Sequence, residues 1–373
     1  MVMKSFDEAP FLVIWELTQA CDLACVHCRA CAIESRNPFE LSTEEGFRLL
    51  EEVRSFGDPL MVFTGGDPLK RPDLFPLLEK SVGLGLRTTV TPSATPLLTA
   101  EAIERFKECG VARMAISLDG PDAASHDGFR RVVGSFQRTT AALDHARTIG
   151  LPTQVNTTVT RHNVTRLGEI ARLVELSGAK LWSVFFLVAT GRASAEQDLT
   201  AEEYEQVFAF LYDLSKTVPF DIKTTEAQHY RRYAAQRRKA EGGAQARPAP
   251  PEIIQRQAGI NDGKGFVFVS HTGEIFPSGF LPLAAGNVRR DSLCTVYRES
   301  PLFRTLRDTD QLQGKCGDCE YRNLCGGSRS RSYALTGNYL AEEPRCIYEP
   351  PATDARQRRT VPPTLRQVGV ACS

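Results

Sequence analysis

Phe11-Leu-Val-Ile-Trp-Glu-Leu17 runs within four residues into Cys21-Asp-Leu-Ala-Cys25-Val-His-Cys28. The first stretch is apolar and reads as a strand; the second sets three thiols on one short loop beyond its end. Three thiolates can hold three irons of a cubane cluster and leave the fourth open to a small molecule, as a catalytic metal site keeps one position free. Zinc is the competing reading, because C-x2-C spacings occur in many zinc sites. Cys31 extends the loop into an overlapping Cys25, Cys28, Cys31 run of ferredoxin type, in which a fourth ligand would close the open corner. We take Cys31 as a bystander, so the chain reads as an enzyme.

Outward from this loop, short β-type runs alternate with amphipathic stretches. The expected strands are 12–18, 60–64, 86–92, 111–118, 153–160 and 181–188. The first helix opens on Ser42-Thr-Glu-Glu45, a capping-box pattern, and others cover 72–84, 99–109, 135–148 and 165–177. Strands separated by helices pair in parallel through right-handed crossovers, and six such units give an open, partial (β/α)6 barrel. Ligands gather at the C-terminal ends of the strands in such folds. A further helix over 201–217 and a strand over 220–225 follow. The boundaries expected are a barrel domain over 1–235, a linker over 236–258, a smaller C-terminal cluster domain over 259–349 and an extended tail over 350–373. Within the smaller domain, 266–269 and 274–276 read as a hairpin around His271-Thr-Gly273.

The 45 basic residues balance 45 acidic ones, so charge points to neither nucleic acid nor an anionic membrane. The first residues lack the pattern of a signal peptide, and no apolar run has the length of a membrane span. A cytoplasmic protein is expected, and its eleven cysteines then point to metal or redox chemistry more than to disulfides.

Taken together, the cysteine loop and the barrel pattern resemble the radical S-adenosylmethionine (SAM) enzymes, and the resemblance extends from Val13 to Tyr348. It implies a [4Fe-4S] cluster on Cys21, Cys25 and Cys28, SAM on its open iron, and a 5′-deoxyadenosyl radical that removes a hydrogen atom from substrate. His27 stands where the family often has an aromatic residue whose backbone approaches adenine. Gly65-Gly-Asp-Pro68 resembles the family's Gly-Gly-Glu-Pro motif for the SAM amino group, with Asp67 in place of Glu. Ser117 and Asp119 match positions near the methionine or ribose, and Arg130 matches an arginine that pairs with the SAM carboxylate. Arg131 stands where glycine is common. Asn156 is a candidate ribose or carboxylate contact, and Thr91 and Ser93 are similar; for each single polar residue, capping is an equal alternative.

Cys316-Gly-Asp-Cys319, Cys325 and Cys346 resemble a shortened SPASM-type domain, which implies one auxiliary [4Fe-4S] cluster, closed and suited to electron transfer. Structural zinc is the alternative here too. Ser278 stands where a longer version would carry another cysteine, and Cys294 is a possible extra ligand. Gly191-Arg192 and Cys325-Gly-Gly-Ser-Arg329 look like enzymes of haem and denitrification-haem biosynthesis, which decarboxylate or remove propionate side chains. A peptide maturase is the second substrate class, although twenty residues before Cys21 are few for a winged-helix leader-binding domain. The expected partners are a tetrapyrrole, other small-molecule or peptide substrate and an electron donor of flavodoxin or ferredoxin type. A two-cluster electron carrier is the non-enzymatic reading.

Overall fold

Leu60-Met-Val-Phe-Thr64 forms a strand over its whole expected length because an unbroken apolar run can be covered on both faces only inside a parallel sheet. In a computed structural model describing residues 5–242 and 259–351, six parallel strands follow one another. They are β1 (Leu12–Glu16), β2 (Leu60–Thr64), β3 (Arg87–Val90), β4 (Arg113–Ser117), β5 (Thr153–Val159) and β6 (Leu181–Phe186). Each pairs in parallel with the next, and β7 (Asp221–Thr225) extends the series. The intervening helices are α1 (Thr43–Ser55), α2 (Leu74–Gly83), α3 (Ala100–Glu108), α4 (Ala123–Arg130), α5 (Ser135–Ile149) and α6 (Leu167–Leu176). After them come α7 (Ala201–Leu214) and α8 (His229–Ala240).

The capping box at Ser42 forms as the sequence dictates: its hydroxyl accepts from the Glu45 amide, and Glu45 accepts from the Ser42 amide at 2.7 Å. Helix α4 is not anticipated, nor are the short C-terminal helices given below. Asp122 caps it by accepting from Ser125 N, and only His126 and Phe129 are buried along it.

The C-terminal hairpin forms with the expected bounds, β8 (Phe266–Val269) and β9 (Glu274–Phe276), but its place is not the expected one. β8 lies parallel to β1, from Leu12 opposite Phe266 to Trp15 opposite Val269. With β10 (Gly286–Asn287) the result is one ten-stranded sheet in the order β10-β9-β8-β1-β2-β3-β4-β5-β6-β7. Pairing of β8 with β1 therefore crosses the boundary expected between barrel and cluster domain. The helix α8 runs to Ala240, past the expected domain end, and the rest of the proposed linker from 243 lies outside the described residues, as does the tail from 352. Helices α9 (Leu293–Glu299), α10 (Pro301–Arg307), α11 (Gly314–Asp318) and α12 (Arg329–Thr336) complete the C-terminal part. Trp15, Phe63 and Trp182 are fully buried in the core against which these layers pack. Among the described residues no helix is long and apolar enough to cross a membrane.

Candidate active site

Between β1 and α1 the chain makes a long loop that carries the first three cysteines. Backbone bonds fold it back on itself: Cys21 N donates to Ile33 O at 2.8 Å, and Ile33 N donates to Gln19 O at 3.1 Å. The loop then leans on the C-terminal end of α4, whose last carbonyls have no partner within the helix. Val26 N donates to Phe129 O and Ala24 N to Arg130 O, at 3.1 and 3.2 Å. Arg131 caps α4 in the left-handed conformation, φ 56°, where a side chain is strained and glycine is not. Because Arg131 is exposed and free to be shortened, Arg131→Gly is expected to stabilise the protein by about 1 kcal/mol, read as a raised melting temperature.

Each sulfur on the loop meets its own donor. Leu23 N lies 3.3 Å from Cys21 Sγ, Ala32 N lies 3.4 Å from Cys28 Sγ, and Arg130 Nη1 lies 3.5 Å from Cys25 Sγ. Donors aimed at sulfur stabilise thiolates and tune the potential of a cluster they ligate. Burial pushes the bare Cys21 thiol up to about 11, so its deprotonation has to come with a bound cation.

The cysteines open on a cavity of about 220 Å³ at the C-terminal ends of the strands. Its wall includes Cys21, Cys25, Cys28, His27, Gly65, Gly66, Ser93, Ser117, Arg130 and Asn156, so ten of the expected residues are brought together. Ser117 and Asn156 are register partners on β4 and β5. Ser93 donates to Gly66 O at 2.7 Å and sits 3.6 Å from Cys21 Sγ.

The two glycines answer to a second constraint besides ligand approach. A Cβ on Gly65 would stand 2.7 Å from Thr18 O, and one on Gly66 would stand 2.5 Å from Ala20 O. The cysteine loop crosses the end of β2 so closely that only glycine fits there.

Three expected contacts lie behind the wall instead. Asp67, fully buried, accepts from Thr95 Oγ1 at 2.6 Å, Leu69 N at 3.2 Å and Ser93 N at 3.3 Å. It thus ties the β2 and β3 loops together, and burial raises its pKa. Pro68 opens the short turn that Asp67 caps. Asp119, also fully buried, forms an ion pair with Arg130 and accepts from Thr158 N at 2.7 Å. Burial opposes its charge, but Arg130 holds its carboxyl below the usual range. Arg130, expected to take a SAM carboxylate, is therefore already committed to Asp119 and to Cys25. Removing one member of such a buried pair strands the other's charge. Asp119→Asn is expected to cost about 3–5 kcal/mol in urea unfolding at neutral pH. Because the folded pKa is depressed, this contribution is full above the ordinary carboxylate pKa and fades only as the pH falls through the folded value.

His27 stacks on Phe129 with ring centroids 4.4 Å apart, and burial drives its pKa down to about 3. It is a neutral, packed imidazole rather than an acid. The sequence reading missed Arg29, Thr158, Phe185 and Phe280, all in the cavity wall.

A second, smaller cavity is lined by Cys316, Cys319, Cys325 and Cys346 together with Arg232 and Glu343. Here too every sulfur has a donor: Glu343 N at 3.3 Å from Cys316, Tyr321 N and Gly327 N at 3.4 Å from Cys319 and Cys325, and Arg232 Nη2 at 3.8 Å from Cys346. Burial raises all four thiols, Cys319 to about 11. Glu343 joins this group to the first cavity. Its carboxylate accepts from Ser328 N at 2.7 Å and pairs with Arg331, whose Nη2 donates at 3.0 Å to Leu187 O in the first cavity's wall. Cys294 packs instead against Glu52 and Ser55 of α1, and Ser278 against Ser330, in neither group.

Among the described residues no three His, Cys, Asp or Glu side chains are gathered closely enough for a single ion, so the fit to iron–sulfur clusters rests on the thiols' grouping and their individual donors. Residues 15–174 match the radical SAM superfamily. The AdoMet-dependent heme synthase of Oleidesulfovibrio alaskensis is 43% identical over 353 residues, which cover 93% of this chain and 90% of that protein. The chain belongs to the radical SAM superfamily.

The AdoMet-dependent heme synthase of Methanosarcina barkeri is 40% identical, with 93% of this chain and 99% of that protein covered. In fold, the chain is similar to Streptococcus suis SuiB bound to S-adenosylmethionine, with a TM-score of 0.70 at 15% identity over 91% of this chain and 78% of that one. As a radical SAM enzyme it uses a [4Fe-4S] cluster and SAM and cleaves SAM reductively. When bound, that pair supplies a 5′-deoxyadenosyl radical.

Proposed function

We propose that this radical SAM enzyme decarboxylates or removes propionate-type side chains of a tetrapyrrole. Cys21, Cys25 and Cys28 would hold the SAM-binding cluster, and Cys316, Cys319, Cys325 and Cys346 an auxiliary one. The observation that carries the reading is the contrast between the two thiol groups: three open on the strand-end cavity, and four lie in a cavity of their own. Three leave a corner for SAM; four suit a closed cluster that takes electrons away. The heme synthases, alike over nearly the whole chain, favour the tetrapyrrole over a peptide.

In the decarboxylation, a –CH2–CH2–COO⁻ side chain gives up one hydrogen atom, carbon dioxide and one electron to become –CH=CH2. The hydrogen atom leaves as 5′-deoxyadenosine, and the auxiliary site accepts the electron. A flavodoxin- or ferredoxin-type protein would supply the electron that starts the cycle. Within the protein, Ser93 and the Gly65–Gly66 backbone hold the wall beside the cysteines. Arg130 steadies Cys25, while Arg331 and Glu343 fix the second thiol group relative to the cavity. The test is anaerobic reconstitution, iron and sulfide analysis, and incubation with SAM, dithionite and iron coproporphyrin III. About eight irons per chain and a product lighter by carbon dioxide and two hydrogens per side chain support the reading. Zinc without sulfide, or 5′-deoxyadenosine with the porphyrin unchanged, counts against it.

A further inference from the structure

We propose that Arg29 receives a substrate carboxylate, and that with Phe185 and Phe280 it selects a flat apolar molecule bearing acidic side chains; the proposal rests on the tetrapyrrole reading above. Four side chains in the cavity wall can carry positive charge: His27, His126, Arg130 and Arg29. His126 accepts from Asp119 N at 3.1 Å through Nδ1 and is buried. Arg130 is taken by Asp119 and Cys25, and His27 is a packed imidazole without room for a proton's hydration. Arg29 remains. Among the described residues no carboxylate lines the cavity.

The placement of Arg29 is built rather than incidental. Its Nη2 donates to Glu16 Oε2 at 2.6 Å, which engages one of the five N–H donors that an arginine carries. Glu16 is fixed in turn: its other oxygen lies 2.9 Å from His271 Nδ1, and His271 Nε2 lies 3.3 Å from Asn37 Nδ2. The guanidinium sits 4.7 Å above the Phe268 ring and 6.0 Å from that of Phe280, so its plane is held as well as its position. A Cβ on Gly279 would stand 3.3 Å from Arg29 Nε; glycine leaves that edge of the fork approachable. The side chain is 21% exposed, enough to meet a ligand yet sheltered enough for a charge-assisted bond to matter.

Beside this cation the wall turns apolar. Phe185 from β6 and Phe280 lie 6.5 Å apart between centroids with their rings tilted by 52°, and Leu187 and Val188 continue the surface. An aromatic face next to one fixed guanidinium matches a macrocycle with a propionate at its edge. It matches a polar peptide or a sugar less well, since neither offers a broad apolar plane.

The experiment is an anaerobic optical titration of the reconstituted enzyme with iron coproporphyrin III and with the same porphyrin carrying primary amides in place of its carboxylates. Wild type is expected to prefer the acid by roughly tenfold to hundredfold, the range for a hydrogen bond to a charged group. Arg29→Met is expected to lose that preference, and Arg29→Lys to keep part of it. An Arg29→Met enzyme that retains the wild-type preference overturns the assignment of Arg29 alone. Wild type that binds neither porphyrin rejects the tetrapyrrole reading itself, and the proposal with it.

Discussion

Cys28→Ala is expected to reduce 5′-deoxyadenosine formation to the level seen without enzyme. Cys28 shares its loop with Cys21 and Cys25, and its sulfur is met by Ala32 N at 3.4 Å, a donor with no other sulfur to serve. Removing it leaves two thiolates, too few to keep a cluster whose fourth iron is reserved for SAM. Chromatographic assay of SAM cleavage after anaerobic reconstitution measures the effect. Cleavage at the wild-type rate would transfer the ligand role to another cysteine.

The companion variant, Cys325→Ala, is expected to separate the two halves of the chemistry. SAM cleavage should remain measurable, because the cysteine loop and the Gly65–Gly66 crossing lie outside the altered site. Finished product should be absent, because the electron released with carbon dioxide has no closed cluster to enter. Cys325 is a half-buried thiol grouped with Cys316 and Cys346, so its loss opens the second group directly. Mass spectrometry of the porphyrin, run alongside the cleavage assay, distinguishes the outcomes. Normal product formation in this variant would remove the auxiliary site from the reaction.

What could be read from the sequence was mainly local. Leu60–Thr64 and the hairpin strands Phe266–Val269 and Glu274–Phe276 form over the expected residues, because apolar runs bounded by turn residues leave little choice. Expected strands 86–92 and 111–118 shorten at both ends, where the chain turns into loops that the pattern of apolar residues does not mark. Helix α4 escaped notice because Ser125-His-Asp-Gly128 shows no apolar stripe; Asp122 as a cap for Ser125 N was the available signal.

Pairing of β8 with β1 joins residues some 250 positions apart, and nothing local to either strand names its partner. The unalternating run Phe266-Val-Phe-Val269 did carry a hint, since such runs suit strands covered on both faces. At the site, the cysteines and glycines were legible as motifs. Their partners were not: Asp119 and Arg130 were each assigned to SAM, whereas folding pairs them with one another. Arg29 was invisible for the same reason, because its meaning depends on Glu16, His271 and Phe268, which only the fold assembles.

The most direct measurement is electron paramagnetic resonance of the dithionite-reduced, anaerobic Cys325→Ala enzyme, in which the N-terminal centre can be observed apart from a complete auxiliary one. Adding SAM is expected to shift the signal of that centre as the amino and carboxylate groups bind its free iron. A spectrum that SAM leaves unchanged, from a protein shown to contain the cluster, would contradict the account.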